Sequence, residues 1–340
     1  MRDKLGVGIV GLGWVSDQYI KSFLANHNCE ITALCHTSLE KARAVKERFA
    51  LSASTLHTDL DSMLRCDHLD AVCILTPNYL HTPQAIQCAE AGKHILLEKP
   101  ISLNWTQALD LEQAVRASRV KSSVGFVLRW NSLFANIQSV IRSGMLGRIF
   151  HIEVDYLFHL DERLNCFPWC ARRETGGSVL QQSGCHAVDG MYFFMNERAV
   201  EVAAISARNR SDFDHDTSFC VFLQFDGGAT GKIYCSYDAR NPYVYNVNVY
   251  GSQGSIRNDQ LYAAKVFPGQ KGWMTMPSIL PNTENVEHHP FPQLVDDFVD
   301  CILGDRVPLT AIPNVLHVSE IIEAAEISAR EQGRKVALPL

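Results

Sequence analysis

The feature that most constrains this chain lies at its start. Residues 5 to 10, Leu-Gly-Val-Gly-Ile-Val, read as a short buried strand, and Gly11-Leu12-Gly13-Trp14-Val15-Ser16 follows at once, opening an amphipathic stretch from Val15 to Leu24. Strand, glycine turn and helix in direct succession describe the first step of a doubly wound sheet. In the nucleotide-binding form of that turn the first glycine makes the bend, the second admits a pyrophosphate, and the helix N-terminus faces the anion. Ser16 takes the place of the third glycine, and a turn of this kind also occurs without any ligand. Met1-Arg2-Asp3-Lys4 ahead of the run imitates a signal peptide, but four glycines interrupt it and no small-x-small cleavage site closes it.

The order that follows is repetitive. Glu30 to Leu34, Asp70 to Leu75, His94 to Leu97 and Lys121 to Phe126 have the apolar runs of buried strands. Between them Leu39 to Phe49, Asp59 to Leu64, Thr82 to Ala91 (closed by Gly92) and Asn104 to Ser118 (capped by Asn104 or Ser102) read as helices. Alternation of this kind predicts a parallel sheet covered on both faces, with ligands at the carboxyl ends of the strands where the strand order switches. At 340 residues a second domain is expected. We place the division near residue 123: a dinucleotide-binding α/β domain over 1–122, and over 123–340 a substrate and assembly domain whose last helices return toward the first.

Charge and cysteine usage narrow the partners. Thirty-one Lys and Arg against 37 Asp and Glu give a net charge of −6, with no basic cluster to attract nucleic acid or an anionic membrane. No apolar run reaches the roughly 20 residues that span a bilayer. The eleven cysteines are scattered singly, which predicts reduced core thiols and a cytoplasmic protein. Cys166 and Cys170 have no second pair to complete a zinc site, so no metal is expected.

The end of the second strand bears on the choice of cofactor. NAD is usually met there by a carboxylate on the adenosine ribose, and NADP by hydroxyls and cations. The sequence reads Cys35-His36-Thr37-Ser38 with Lys41 a turn later and no carboxylate before Glu40, which leans toward NADP. The same residues would equally cap the next helix.

Thr76-Pro77-Asn78-Tyr79-Leu80-His81 after the fourth strand and Glu98-Lys99-Pro100 after the fifth, with the glycine turn, make a specific pattern. The chain resembles the glucose–fructose oxidoreductase, inositol dehydrogenase and rhizopine-catabolism (Gfo/Idh/MocA) family. The resemblance implies that Lys99 stands beside the nicotinamide and meets the reacting substrate oxygen. It also places Asn78 and His81 near the nicotinamide, with helix capping the alternative for Asn78, so that Gly11, Gly13, Trp14, Val15, His36, Thr37, Ser38, Lys41, Thr76, Pro77, Asn78, His81, Glu98 and Lys99 are the expected cofactor contacts. Gly176-Gly177 leads into a helix matching an Asp-x-Gly-x-His pattern at His186, but Gln182 stands where the family has Asp. On an α-helix positions 182 and 186 share a face, so both would address the substrate.

The implied activity is hydride transfer between NAD or NADP and a secondary alcohol or ketone of a sugar, polyol or derivative. His186 acts as general base, a buried structural histidine being the alternative, and Lys99 steadies the alkoxide; Arg129, Trp130, Asn131, Trp169, Arg172 and Arg173 are substrate-side candidates, with an interdomain salt bridge equally open to the arginines. Alternatives are an NAD-dependent glycosidase working through transient oxidation, and a non-catalytic sugar or dinucleotide sensor. Strand-like stretches at Arg148–Phe158, Val200–Asn209, Thr217–Phe225, Thr230–Ser236 and Val244–Tyr250, then helices over Phe291–Leu303 and Ile312–Gln332, predict a large, mostly antiparallel open sheet with helices on one face. Its other face would build a homodimer or homotetramer, with Tyr234, Tyr237, Tyr243, Tyr245 and Tyr250 suited to the contact and plain sheet surface equally consistent.

Overall fold

The computed structural model describes residues 4–281 and 289–340. Internal packing divides the chain into two units, Met1–Phe126 with Phe291–Leu316, and Val127–Pro290 with His317–Leu340. The Met1-Arg2-Asp3 stretch lies outside the described residues.

In the first unit, strands β1 (Leu5–Val10), β2 (Cys29–Cys35), β3 (Thr55–His57), β4 (Ala71–Ile74), β5 (His94–Leu97) and β6 (Ser122–Val124) form one sheet in the order β3-β2-β1-β4-β5-β6. All pairings are parallel. Every residue of β1 and β4 is buried, as central strands covered on both faces require. The connecting helices are α1 (Ser16–Ala25), α2 (Leu39–Arg48), α3 (Leu60–Leu64), α4 (His81–Glu90) and α5 (Trp105–Ser118). Asn104 caps α5 by accepting from the Gln107 N–H, as its residue type predicts. β3 was not expected: three residues on the sheet edge are too few to show a period. β6 is shorter than the apolar run Lys121–Phe126 suggests, because the chain turns at Gly125 into a 3-10 turn over Val127–Trp130.

The second unit is built on nine strands: β7 (Ile149–Leu157), β8 (Ala199–Ala207), β9 (Ser218–Phe225), β10 (Thr230–Ser236), β11 (Val244–Gly251), β12 (Ser255–Arg257), β13 (Gln260–Tyr262), β14 (Met274–Thr275) and β15 (Val336–Ala337). Their order is β14-β13-β12-β11-β7-β10-β9-β8-β15, antiparallel except for β7 beside β10. Alternate residues of β7, β9 and β11 are buried, the pattern of a sheet with one covered face. Helix α6 (Ser132–Arg142), the short α7 (Phe167–Cys170) and α8 (Arg173–Gly176), and α9 (Cys185–Met195) precede β8. Three of the tyrosines considered for a contact face, Tyr237, Tyr243 and Tyr245, belong instead to the buried core. Strand parity turns Tyr245 inward, and Tyr237 and Tyr243, just past β10 and just before β11, are buried with it, where burial of so large a ring gains most. Tyr234 is exposed on the open face.

Helix α10 (Phe291–Leu303) packs on α1 within the first unit, with the Phe291 ring edge-on to Tyr19 at 5.0 Å. α11 (Ile312–Arg330) begins in the first unit and ends in the second. Among the described residues no helix is long and apolar enough to cross a membrane.

Candidate functional site

In the first unit the chain steps from β1 through α1 to β2 on one side, while β4 pairs on the other side of β1. The carboxyl ends of β1 and β4 therefore flank the switch point of the sheet, the place where such folds bind ligands. Gly11, with φ +86°, makes the turn after β1; a Cβ there would come within 2.6 Å of the Leu75 carbonyl. Gly13 faces open space, with nothing within 4 Å of where its Cβ would be. No side chain caps α1, whose N-cap is Val15, and Trp14 beside it is 65% exposed. An uncovered backbone turn leading into an uncapped helix suits an anion.

Thr76, Pro77 and Asn78 follow β4. Thr76 donates its hydroxyl to Gln84 Oε1 at 2.6 Å, and Asn78 is buried at the start of a 3-10 turn. His81 is buried with Nδ1 2.7 Å from the Pro100 carbonyl and Nε2 2.8 Å from the Thr76 carbonyl. The ring thus ties the loop after β4 to the loop after β5. Burial holds its pKa below the usual histidine range, against the pull of both carbonyls.

Glu98, Lys99 and Pro100 follow β5, with a cis Lys99–Pro100 peptide. Glu98 Oε1 accepts the Tyr19 hydroxyl at 2.8 Å and Oε2 accepts the Lys99 N–H at 2.9 Å. Burial raises the pKa of Glu98, opposed chiefly by Lys99. Gly125 is required beside them, since a Cβ would meet Tyr19 Oη at 2.9 Å. Tyr19 and Gly125 carry no mark in the sequence that separates them from core residues.

At the end of β2, His36 is half-buried while Thr37, Ser38 and Lys41 are exposed. His36 Nδ1 accepts the Ser38 N–H at 2.9 Å, and Ser38 Oγ caps α2 by accepting the Lys41 N–H at 3.2 Å. The capping reading therefore accounts for Ser38. Burial and Lys41 lower the His36 pKa.

The second unit holds the remaining candidates. His186 is 4% exposed, near-parallel to Tyr156 at 5.9 Å and tilted to His289 at 6.0 Å; its backbone carbonyl accepts the Tyr245 hydroxyl at 2.9 Å. Gln182 lies in a π-helical stretch, Leu180–Gly184, that precedes α9. The expected α-helical i, i+4 spacing between the two is interrupted by that wider turn. Both Gln182 amide protons are committed, to the Cys170 carbonyl at 2.8 Å and the Gly177 carbonyl at 3.0 Å, and Tyr237 donates to its Oε1 at 3.2 Å. Gln182 therefore anchors the segment ahead of α9 and offers acceptor capacity only.

Arg129, read from sequence as a substrate residue, is 5% exposed and forms a forked ion pair with the 3% exposed Asp189, Nη2 lying 2.6 Å from Oδ1. Its guanidinium also covers the Phe193 ring, 5.2 Å from the ring centroid. Burial raises the Asp189 pKa against the pull of Arg129. Asn131 caps α6 by accepting the Leu133 N–H. Trp130 and Trp169 are half-buried, Arg172 is exposed, and Arg173 pairs with Glu326.

A Rossmann-type sheet with an open glycine turn at its switch point defines a dinucleotide-binding fold. Comparison with known proteins agrees. Residues 5–126 match the family described as "Oxidoreductase family, NAD-binding Rossmann fold", and residues 134–257 match the "GFO/IDH/MocA C-terminal domain". The chain belongs to the Gfo/Idh/MocA family of oxidoreductases. It is 25% identical to a D-apiose dehydrogenase of Paraburkholderia graminis, over 97% of this chain and 88% of that one. It is 24% identical to a myo-inositol 2-dehydrogenase of Thermotoga maritima, over 75% of each. A levoglucosan dehydrogenase solved in complex with NADH has the same fold, with a TM-score of 0.88, 22% identity and 99% of both chains covered.

Proposed function

We propose that this protein transfers hydride between a nicotinamide dinucleotide and a secondary alcohol or ketone of a sugar, polyol or related compound. The observation that carries the reading is the Tyr19–Glu98–Lys99 arrangement at the carboxyl end of β5, next to the switch point. The residues present fit a dinucleotide: Gly11 and Gly13 leave backbone uncovered, and α1 begins without a side-chain cap.

Gly11, Gly13, Trp14 and Val15 would hold the pyrophosphate, and His36, Thr37 and Lys41 the adenosine side. Thr76, Pro77 and Asn78 would border the nicotinamide. When bound, the nicotinamide accepts or returns a hydride at C4. Lys99 stabilises the negative charge that develops on the substrate oxygen, a contribution that preorganised cations supply most effectively where water is excluded. His186 takes the hydroxyl proton through a ring nitrogen and returns it in reduction. With both Gln182 amide protons engaged by backbone carbonyls, Gln182 serves as the scaffold for this part of the second unit. The absence of a carboxylate after β2 favours NADP, and we propose assembly of copies through the open face of the nine-stranded sheet.

The test is titration of the full chain with NAD⁺ and NADP⁺ by intrinsic fluorescence, then a panel of polyols, aldoses and uronates followed at 340 nm. Tighter binding of NADP⁺ and substrate-dependent reduction support the reading; failure of both dinucleotides to bind at millimolar concentration defeats it.

A further inference from the structure

Outside the glycine turn and the Glu-Lys-Pro loop, the first unit carries a second group of reactive side chains, on the edge strand β3, helix α3 and the turn that follows it. His57 Nδ1 lies 3.2 Å from Ser62 Oγ, and Nε2 lies 3.3 Å from Cys66 Sγ and 2.8 Å from Thr55 Oγ1. Ser62 donates its hydroxyl proton to the Asp59 carbonyl at 3.0 Å, which leaves the serine oxygen as an acceptor for His57 Nδ1–H. In the neutral tautomer with Nδ1–H on Ser62, the Nε2 lone pair faces both the Cys66 thiol and the Thr55 hydroxyl. Thr55 has one proton to give, and the Thr32 carbonyl at 3.2 Å is a second acceptor for it.

Burial holds the His57 pKa below the usual histidine range; Arg65 adds to this and Asp59 opposes it. The ring is therefore neutral near pH 7 and able to accept a proton. Cys66 itself is one of three partly exposed thiols, with Cys166 and Cys220, while the other eight are buried. Burial pushes Cys29 and Cys35 up to about 11 and Cys88 to about 12, out of the reactive range. Burial also raises the Cys220 pKa, against the pull of Lys232.

We propose that Cys66 is a reactive thiol of this protein, with His57 as its general base, and that it is the position modified by small alkylating electrophiles and hydroperoxides. With a haloacetamide, a sulfur–carbon bond forms, the carbon–halogen bond breaks, halide leaves, and the thiol proton passes to His57 Nε2. With a hydroperoxide, sulfur attacks the terminal oxygen and the O–O bond breaks. Sulfur is oxidised by two electrons to the sulfenic acid, the peroxide is reduced to an alcohol or water, and the leaving oxygen takes the proton from His57. None of this depends on the proposed hydride transfer.

The experiment is limited alkylation of the full-length protein with iodoacetamide at pH 7, with the rate at each cysteine read by peptide mass mapping. Cys66 is expected to react about tenfold faster than Cys166 and Cys220. His57→Gln and Ser62→Ala are expected to remove most of that advantage, leaving the Cys220 rate and the melting temperature unchanged. Hydrogen peroxide followed by dimedone is expected to mark Cys66. A Cys66 rate no higher than that of Cys220 overturns the proposal, as does an undiminished rate in both variants. If His57→Gln does not fold, the Ser62→Ala rate decides.

Discussion

The phenol of Tyr19, within the first helix, donates to one oxygen of Glu98 at 2.8 Å, while the other oxygen of that carboxylate takes the backbone N–H of Lys99. A helix after the first strand thereby holds the loop after the fifth. Tyr19→Phe leaves Glu98 Oε1 without this donor in a site where burial already raises its pKa. The expected loss is about 1–3 kcal/mol of stability. Urea unfolding checks it; a midpoint unchanged from the parent would show that the bond contributes nothing.

Lys99→Met and His186→Ala separate chemistry from cofactor binding. Loss of the cation is expected to lower turnover by about 10²- to 10³-fold, and loss of the base by about 10²- to 10⁴-fold. Dinucleotide affinity, carried by the glycine turn, should stay within a few-fold of the parent in His186→Ala. Steady-state rates beside fluorescence titrations distinguish these effects, and full turnover in either variant removes that residue from the proposed mechanism.

The Arg129–Asp189 pair is almost wholly withdrawn from water. Arg129→Met strands a buried carboxylate and should cost about 3–5 kcal/mol, whereas Arg129→Met with Asp189→Leu should recover a large part of it. Denaturant melts of the two single variants and the double variant complete the cycle. A role limited to substrate binding would leave all three as stable as the parent.

Acid should weaken the second unit through His317. Burial, aided by Arg129, lowers its pKa from 6.5 to about 3, and its ring lies against Tyr192 with centroids 3.3 Å apart. The unfolded chain takes up this proton at higher pH than the folded one. The contribution is therefore complete above pH 6.5 and declines as pH falls toward about 3. His317→Gln should flatten the slope of stability against pH in that window, measured by thermal melts at a series of pH values. An unchanged slope would assign the acid sensitivity to other groups.

Gln182→Glu tests the amide as scaffold. A carboxylate offers no protons to the Cys170 and Gly177 carbonyls and would set negative charge against both. A loss of about 1–3 kcal/mol at neutral pH, partly recovered in acid as the side chain is protonated, is expected. Thermal melts at pH 7 and pH 5 give the answer, and equal stability at pH 7 would refute the scaffold.

Much of the first unit can be read directly from its chain. Periodicity locates five of its six strands, and the glycine turn, Thr76-Pro77-Asn78 and Glu98-Lys99-Pro100 fall at the ends of β1, β4 and β5, since parallel strands return the chain to the same edge each time. β3 escapes because three residues at an edge carry no period. In the second unit strand parity is visible, but which face is covered is not. Tyr237, Tyr243 and Tyr245 could be assigned inward only once the sheet was paired.

What the amino-acid order alone determines, then, is the succession of elements, the caps such as Asn104, and the glycine turn, because these depend on neighbours within a few residues. Tertiary structure decides the partners. Tyr19 meets Glu98 from 79 residues away, Arg129 finds Asp189 across 60, and Gln182 spends its protons on carbonyls 12 and 5 residues behind it. Such pairings follow from burial, which leaves each polar group to find its match among whatever the fold brings near, and no local pattern encodes that.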